Sequence, residues 1–166
     1  MAKIRLDKVN DKKVVSVKVK KDLPDGAFGA IKAVLGEDVL GREVYELAEL
    51  AGTEAKGRIV MVAMDVHRYE DYGYNDLYHA GKARILEAGF DKKCFEGDIV
   101  RAYILDAGDI ISTDDAKLVA LNKGDMLAPK ATSNELEKTV DESKAVAMVI
   151  AKEKWCGVDV AVLQFL

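Results

Sequence analysis

Three Gly-Asp dipeptides, Gly97-Asp98, Gly108-Asp109 and Gly124-Asp125, each stand directly before the apolar start of a strand-like run, at Ile99, Ile110 and Met126. Glycine accepts the positive φ of a tight turn and aspartate bonds readily to nearby main chain, so the repeat punctuates the C-terminal part of the chain as β structure. Around these turns the runs 99–105, 109–112, 117–121, 126–129, 145–152 and 158–165 read as six short strands, at the spacing of a small antiparallel barrel or sandwich. The polar stretch 132–143 fits a hairpin tip, or a brief helix opened by a Thr132/Glu135 capping box.

The N-terminal part is also β in character. Val14, Val15, Val17 and Val19, interleaved with Ser16, Lys18 and Lys20, give the alternation of a half-buried strand. Pro24-Asp25-Gly26 is a turn, because proline presets its first central position and glycine takes the positive φ. Residues 27–34, small and apolar with Gly29 inside, fit short strands joined by turns. Residues 42–50 satisfy both helical and alternating spacing, and the strand is favoured; 59–64 is a buried strand by length and composition. Residues 65–89 form an aromatic and charged surface excursion, with a helical turn or two at 83–88. The expected fold is therefore mainly β. It comprises a small antiparallel barrel or sandwich at the C-terminal end (97–166), an N-terminal β-rich region (23–96), and a basic extended arm or edge strand (1–22).

A chain of 166 residues that is 49% apolar can bury one core, or two small ones packed together. A net charge of −4 argues against a protein whose main task is to coat nucleic acid, which needs a basic surface. No apolar run approaches the length of about eighteen residues needed to cross a bilayer, and no leader-like segment opens the chain, so no membrane partner is expected. Charge is unevenly placed: residues 1–22 carry +5 and the remainder −9. Lysines protecting a solvated edge strand explain this plainly, and an arm docked on an acidic partner explains it more sharply. Cys94 and Cys156 show no pairing or metal-ligand spacing and are expected to be free thiols.

Catalytic motifs are scarce. The two histidines, His67 and His79, lie in the tyrosine-rich excursion near Asp65, Glu70, Asp71 and Asp76, but their spacing matches no ligand pattern, so neither metal nor cofactor is expected. Nucleophile-elbow and phosphate-loop signatures do not occur. Asp114-Asp115 reads as a turn, and Trp155-Cys156-Gly157 as a hairpin turn with one aromatic anchor. Cys94 follows Lys92 and Lys93, yet no neighbouring histidine would serve it as base.

A series of short motifs runs through the chain in order. It begins with Arg42-Glu43-Val44-Tyr45, a strand ending Val62-Ala63-Met64, and Tyr69-Glu70-Asp71. It continues with Leu77 and Ala80-Gly81-Lys82, then Arg101-Ala102-Tyr103-Ile104-Leu105 and Gly108-Asp109-Ile110, and closes with the strand pair at 145–153 and 158–162. Over residues 42–165 this order resembles a family of tailed-phage head proteins, with 85–97 lengthening one link of the pattern. The resemblance implies a non-enzymatic virion component, made in the host cytoplasm, that decorates the capsid exterior. Its implied partners are the major capsid protein and further copies of itself on the lattice. The corresponding contact candidates are Lys3, Arg5, Lys8, Lys12 and Lys13 in the arm, and Tyr69, Tyr72, Tyr74 and Tyr78 as anchors in a principal contact surface at 65–82. Two other readings are a small metal-dependent β-barrel enzyme using His67 and His79, and a soluble bacterial adaptor module.

Overall fold

The structure is a computed structural model and describes residues 4–8, 14–37, 43–50, 59–62, 93–155 and 157–166. In chain order these contain β1 (Ile4–Lys8), β2 (Val14–Lys18), β3 (Leu23–Pro24), β4 (Phe28–Glu37), β5 (Glu43–Ala48), β6 (Ile59–Val62), β7 (Lys93–Cys94) and β8 (Ile99–Ile104). Then come β9 (Ile110–Thr113), the single-turn helix α1 (Ala116–Val119), β10 (Met126–Pro129), β11 (Leu136–Thr139), β12 (Ala147–Trp155) and β13 (Val158–Phe165). The chain is mainly β, as the turn punctuation predicts.

Two sheets carry the architecture. Strands β2-β5-β4-β6-β8 close into a barrel, while β1-β9-β13-β12-β10-β11 form an open sheet, antiparallel throughout. Closure thus belongs to residues 14–104 rather than to the C-terminal strands, and the C-terminal sheet borrows its edge strand from the N-terminus. Local periodicity is silent about which strands pair, so this distribution was not legible from spacing. A ring of five strands cannot alternate direction all the way round, and the one parallel pair, β2 with β5, absorbs the mismatch.

Alternation along β6 shows how the two sheets are joined. Val60 and Val62 point into the barrel, with Val17, Val19, Leu47, Cys94 and Ala102. Ile59 and Met61 point the other way, into a larger core with Phe28, Ile111, Leu127, Val149 and Leu163. One strand therefore serves two cores, which explains why all four of its residues are buried. Phe28 on β4 meets Phe165 on β13 with ring centroids 6.2 Å apart in a tilted pair, pinning barrel to sheet. Main-chain bonds add a second attachment: Leu50 exchanges bonds with Ser133 and Thr132, and Phe28 N–H donates to the Asn134 carbonyl at 2.9 Å.

The three Gly-Asp turns are built alike. Each glycine sits near φ +90° (Gly97 88°, Gly108 92°, Gly124 91°). Each aspartate accepts, on its side chain, the N–H three residues earlier: Phe95 to Asp98 at 3.1 Å, Asp106 to Asp109 at 2.8 Å, and Asn122 to Asp125 at 2.9 Å. The glycine N–H then donates to a residue of a distant segment, whose own N–H returns to the aspartate carbonyl. That residue is Val19, Phe165 and Val149 in turn. The turn at Pro24-Asp25-Gly26-Ala27 repeats the main-chain scheme against Val62, with alanine where the others have aspartate. Asp109 is the most buried of the three lock carboxylates, and Asp109→Ala removes the carboxylate that accepts the Asp106 N–H. This substitution is expected to lower the unfolding free energy by about 1.5–3 kcal/mol, read from the urea midpoint.

Several local expectations are revised. Residues 117–121 do not form a strand. Asp115 caps α1, its side chain accepting the Lys117 N–H at 2.8 Å, and Leu118 is buried with Val119 and Leu121 against the larger core. No helix opens at Thr132, which takes φ 54° in a turn, and β11 follows instead. Residues 28–37 form one ten-residue strand with irregular register near Val34 rather than short strands joined by turns. Within 1–22, residues 4–8 pair with β9 at the margin of the open sheet, and 14–18 are part of the closed barrel.

Candidate functional site

Of the candidate contact residues, Arg5 and Lys8 fall on β1, opposite Ser112 and Ile110 at the margin of the open sheet. Lys3, Lys12, Lys13, Tyr69, Tyr72, Tyr74, Tyr78, His67 and His79 lie outside the described residues, as does the whole excursion at 65–89. The later lysines of the basic N-terminal segment are engaged on the barrel surface: Lys20 pairs with Glu46 at 2.6 Å and Lys21 with Glu49. A hydrogen bond from Lys20 is the main influence holding the Glu46 carboxyl below its ordinary range. Part of the positive charge of 1–22 is thus balanced by Glu46 on β5 and by Glu49 just after it.

Cys94 is a free thiol with no exposed surface, and burial, reinforced by the negative charges of Asp25 and Asp98, pushes it up to about 12. A thiol so protonated is a poor nucleophile. In native protein Cys94 should react with a disulfide reagent at least about a hundredfold more slowly than in denaturant. Equal rates in the two states would contradict the buried placement. Among the described residues, four of the aspartates singled out from the sequence hold structural positions. Asp98, Asp109 and Asp125 lock turns, and Asp115 caps α1 while its N–H donates to the Thr113 hydroxyl at 3.2 Å. Among the described residues no three acidic, histidine or cysteine side chains are grouped to hold a metal ion, and no helix is long and apolar enough to cross a membrane.

Among the described residues, a groove and the margins of the open sheet are the surface features to consider. An open groove of about 720 Å³ lies where barrel and sheet meet, floored by Ile59, Leu105, Val146 and Phe165 and rimmed by Asp106 and Glu142. Its chemistry suits an apolar side chain accompanied by a cation. The other feature is the pair of sheet margins, β1 on one side and β11 on the other. Sequence reading missed β11 because Leu136-Glu137-Lys138-Thr139 is short and polar, with one buried residue. Leu136 is its single apolar residue, and four residues without apolar alternation cannot be told from a loop.

Electrostatics on the β10–β11 side favour the folded state at neutral pH. A hydrogen bond from Lys138 chiefly lowers the Asp125 carboxyl, and one from Lys117 chiefly lowers that of Glu135. Carboxyls depressed by folding add stability above their unfolded pKa and lose it as pH falls through the folded value. Urea midpoints should therefore stay level between about pH 5 and about pH 7 and decline below about pH 4.

Comparisons with protein-family models, with curated proteins and with solved structures found no match to this chain.

Proposed function

We propose that this chain is a non-enzymatic virion protein that binds the outer surface of a tailed-phage capsid, with the major capsid protein as partner, and decorates or stabilises the shell. The observation that carries this reading is that, among the described residues, the aspartates and the thiol singled out from the sequence serve architecture. The three Gly-Asp carboxylates close turns, Asp115 caps a helix, and the Cys94 thiol is sealed in the barrel. What the described surface offers instead is a β scaffold with a groove of mixed apolar and acidic lining where barrel and sheet meet, which suits attachment by shape. The motif order over 42–165 supports the same role. Repetition over a lattice lets modest individual contacts hold the protein in place.

The test is quantitative mass spectrometry of purified particles from the source culture. A fixed ratio of this chain to the major capsid protein supports the role, and its absence from particles rejects it. Replacing Tyr69, Tyr72, Tyr74 and Tyr78 together by alanine should reduce occupancy about tenfold or more if these are the anchors.

A further inference from the structure

The two margins of the open sheet differ in charge and complement each other in direction. The register fixes which groups of β11 face outward. Lys130 N–H donates to the Glu135 carbonyl at 3.1 Å, and Val146 N–H donates to the Leu127 carbonyl at 2.8 Å. In an antiparallel ladder the main-chain groups change side with every residue. Glu137 and Thr139 therefore turn toward β10, like Glu135, while Leu136 and Lys138 turn their N–H and C=O outward. Pro129, opposite Leu136, has no N–H and stands where β11 asks for none. Among the described residues no strand pairs with the outer side of β11 or of β1.

Charge distinguishes the margins. Residues 133–142, which span β11, carry Glu135, Glu137, Asp141 and Glu142 against Lys138, a net −3. Residues 1–13, which span β1, carry five basic residues against two aspartates, a net +3. Glu135 and Asp141 already engage neighbouring lysines, while Glu137 and Glu142 stand exposed. Direction adds a second condition. The sheet has six strands and every adjacent pair is antiparallel, so β1 and β11 run opposite ways. A second copy placed alongside in the same orientation brings its β1 antiparallel to β11, and the alternation continues unbroken. Pairing β11 with β11, or β1 with β1, would set like charges against each other.

We propose that copies of this chain associate head to tail, β1 of one along β11 of the next, closing into a ring whose sheets are continuous from copy to copy. Such an interface uses different patches on its two sides, and rotation about an axis along the strands closes it. It removes both open margins, the usual hazard of an uncovered sheet. The inference concerns the free protein and needs no capsid, so it succeeds or fails separately from the decoration role.

Light scattering and native mass spectrometry of the full-length protein test it. Closed oligomers of one fixed copy number are expected at low salt, weakening as the charges are screened from about 0.05 M to about 0.5 M. Lys138→Pro deletes an outward N–H while sparing the bonds to β10, and should raise the dissociation constant at least about tenfold with an unchanged circular dichroism spectrum. Lys138→Met, which likewise loses the ion pair to Asp125 but keeps the N–H, should associate at least as tightly as the parent. Glu137→Arg and Arg5→Glu should each weaken association, and the two together should restore it. This charge exchange decides the matter if the proline variant fails to fold. A parent protein that is monomeric at every salt and concentration overturns the proposal. So does a two-fold dimer, or association that neither Lys138→Pro nor the single charge variants disturb.

Discussion

Replacing Met61 by alanine is expected to remove about 2–5 kcal/mol of stability and to loosen barrel and sheet together. Met61 has no exposed surface and belongs to the core between the two sheets. The residues on either side of it, Val60 and Val62, belong to the barrel interior. A cavity at Met61 therefore weakens a strand on which both cores depend. Two probes separate the halves. The fluorescence of Trp155, the one tryptophan, reports on the β12–β13 hairpin, and labelling of Cys94 reports on the barrel. Both should move to lower urea by the same increment. Two distinct transitions, with only one displaced, would mean that the sheets unfold independently and that β6 does not couple them.

Gly29→Val is expected to cost about 3 kcal/mol or more, from overpacking rather than from a cavity. A β-carbon at Gly29 would lie 2.5 Å from Leu47 Cδ1 and 2.9 Å from the Ala48 carbonyl oxygen. Leu47 can rotate, but it is buried in the barrel core, and the Ala48 carbonyl is main chain of the neighbouring strand. Relief therefore requires β4 and β5 to separate, in a ring that has no free edge to yield. Gly29→Ala should show the same fault to a smaller degree. Thermal denaturation of the two variants checks the order, and a valine variant as stable as the parent would contradict the close approach of these strands.

How much of this was legible beforehand differs from element to element. The turns at Gly97, Gly108 and Gly124 could be read because glycine and aspartate act locally, through φ and through short hydrogen bonds. Strands β10 and β13 begin and end where their apolar runs do. The helical turn at α1 was hidden because Leu118, Val119 and Leu121 suit a strand as well as a helix, and the cap at Asp115 decided between them. The location of the closed barrel was hidden for a different reason. The pairing of β2 with β5 and β8, and of β1 with β9, joins segments far apart in the chain, and alternation within a strand carries no record of its partner. The candidate contact surface falls largely outside the described residues, with only Arg5 and Lys8 on described strands, and the β11 margin was not foreseen because its strand is short and polar.

The Gly-Asp turns have a consequence in time as well as in energy. Each joins its own tight turn to a residue far away along the chain, at Val19, Phe165 or Val149, so its reciprocal main-chain pair cannot form until the surrounding strands have met. Closing loops of that length is the entropic cost that makes a β fold of high contact order slow to form. The local half of each lock, aspartate to the N–H three residues earlier, can form before any strand has met its partner, and the main-chain half only afterwards. Asp109→Ala removes only the local half, and a chevron plot assigns its cost to the refolding arm where that turn is already closed in the transition state and to the unfolding arm where it is not. The repeated dipeptide that first marks this sequence as β thus joins an early, local event to a late, long-range one.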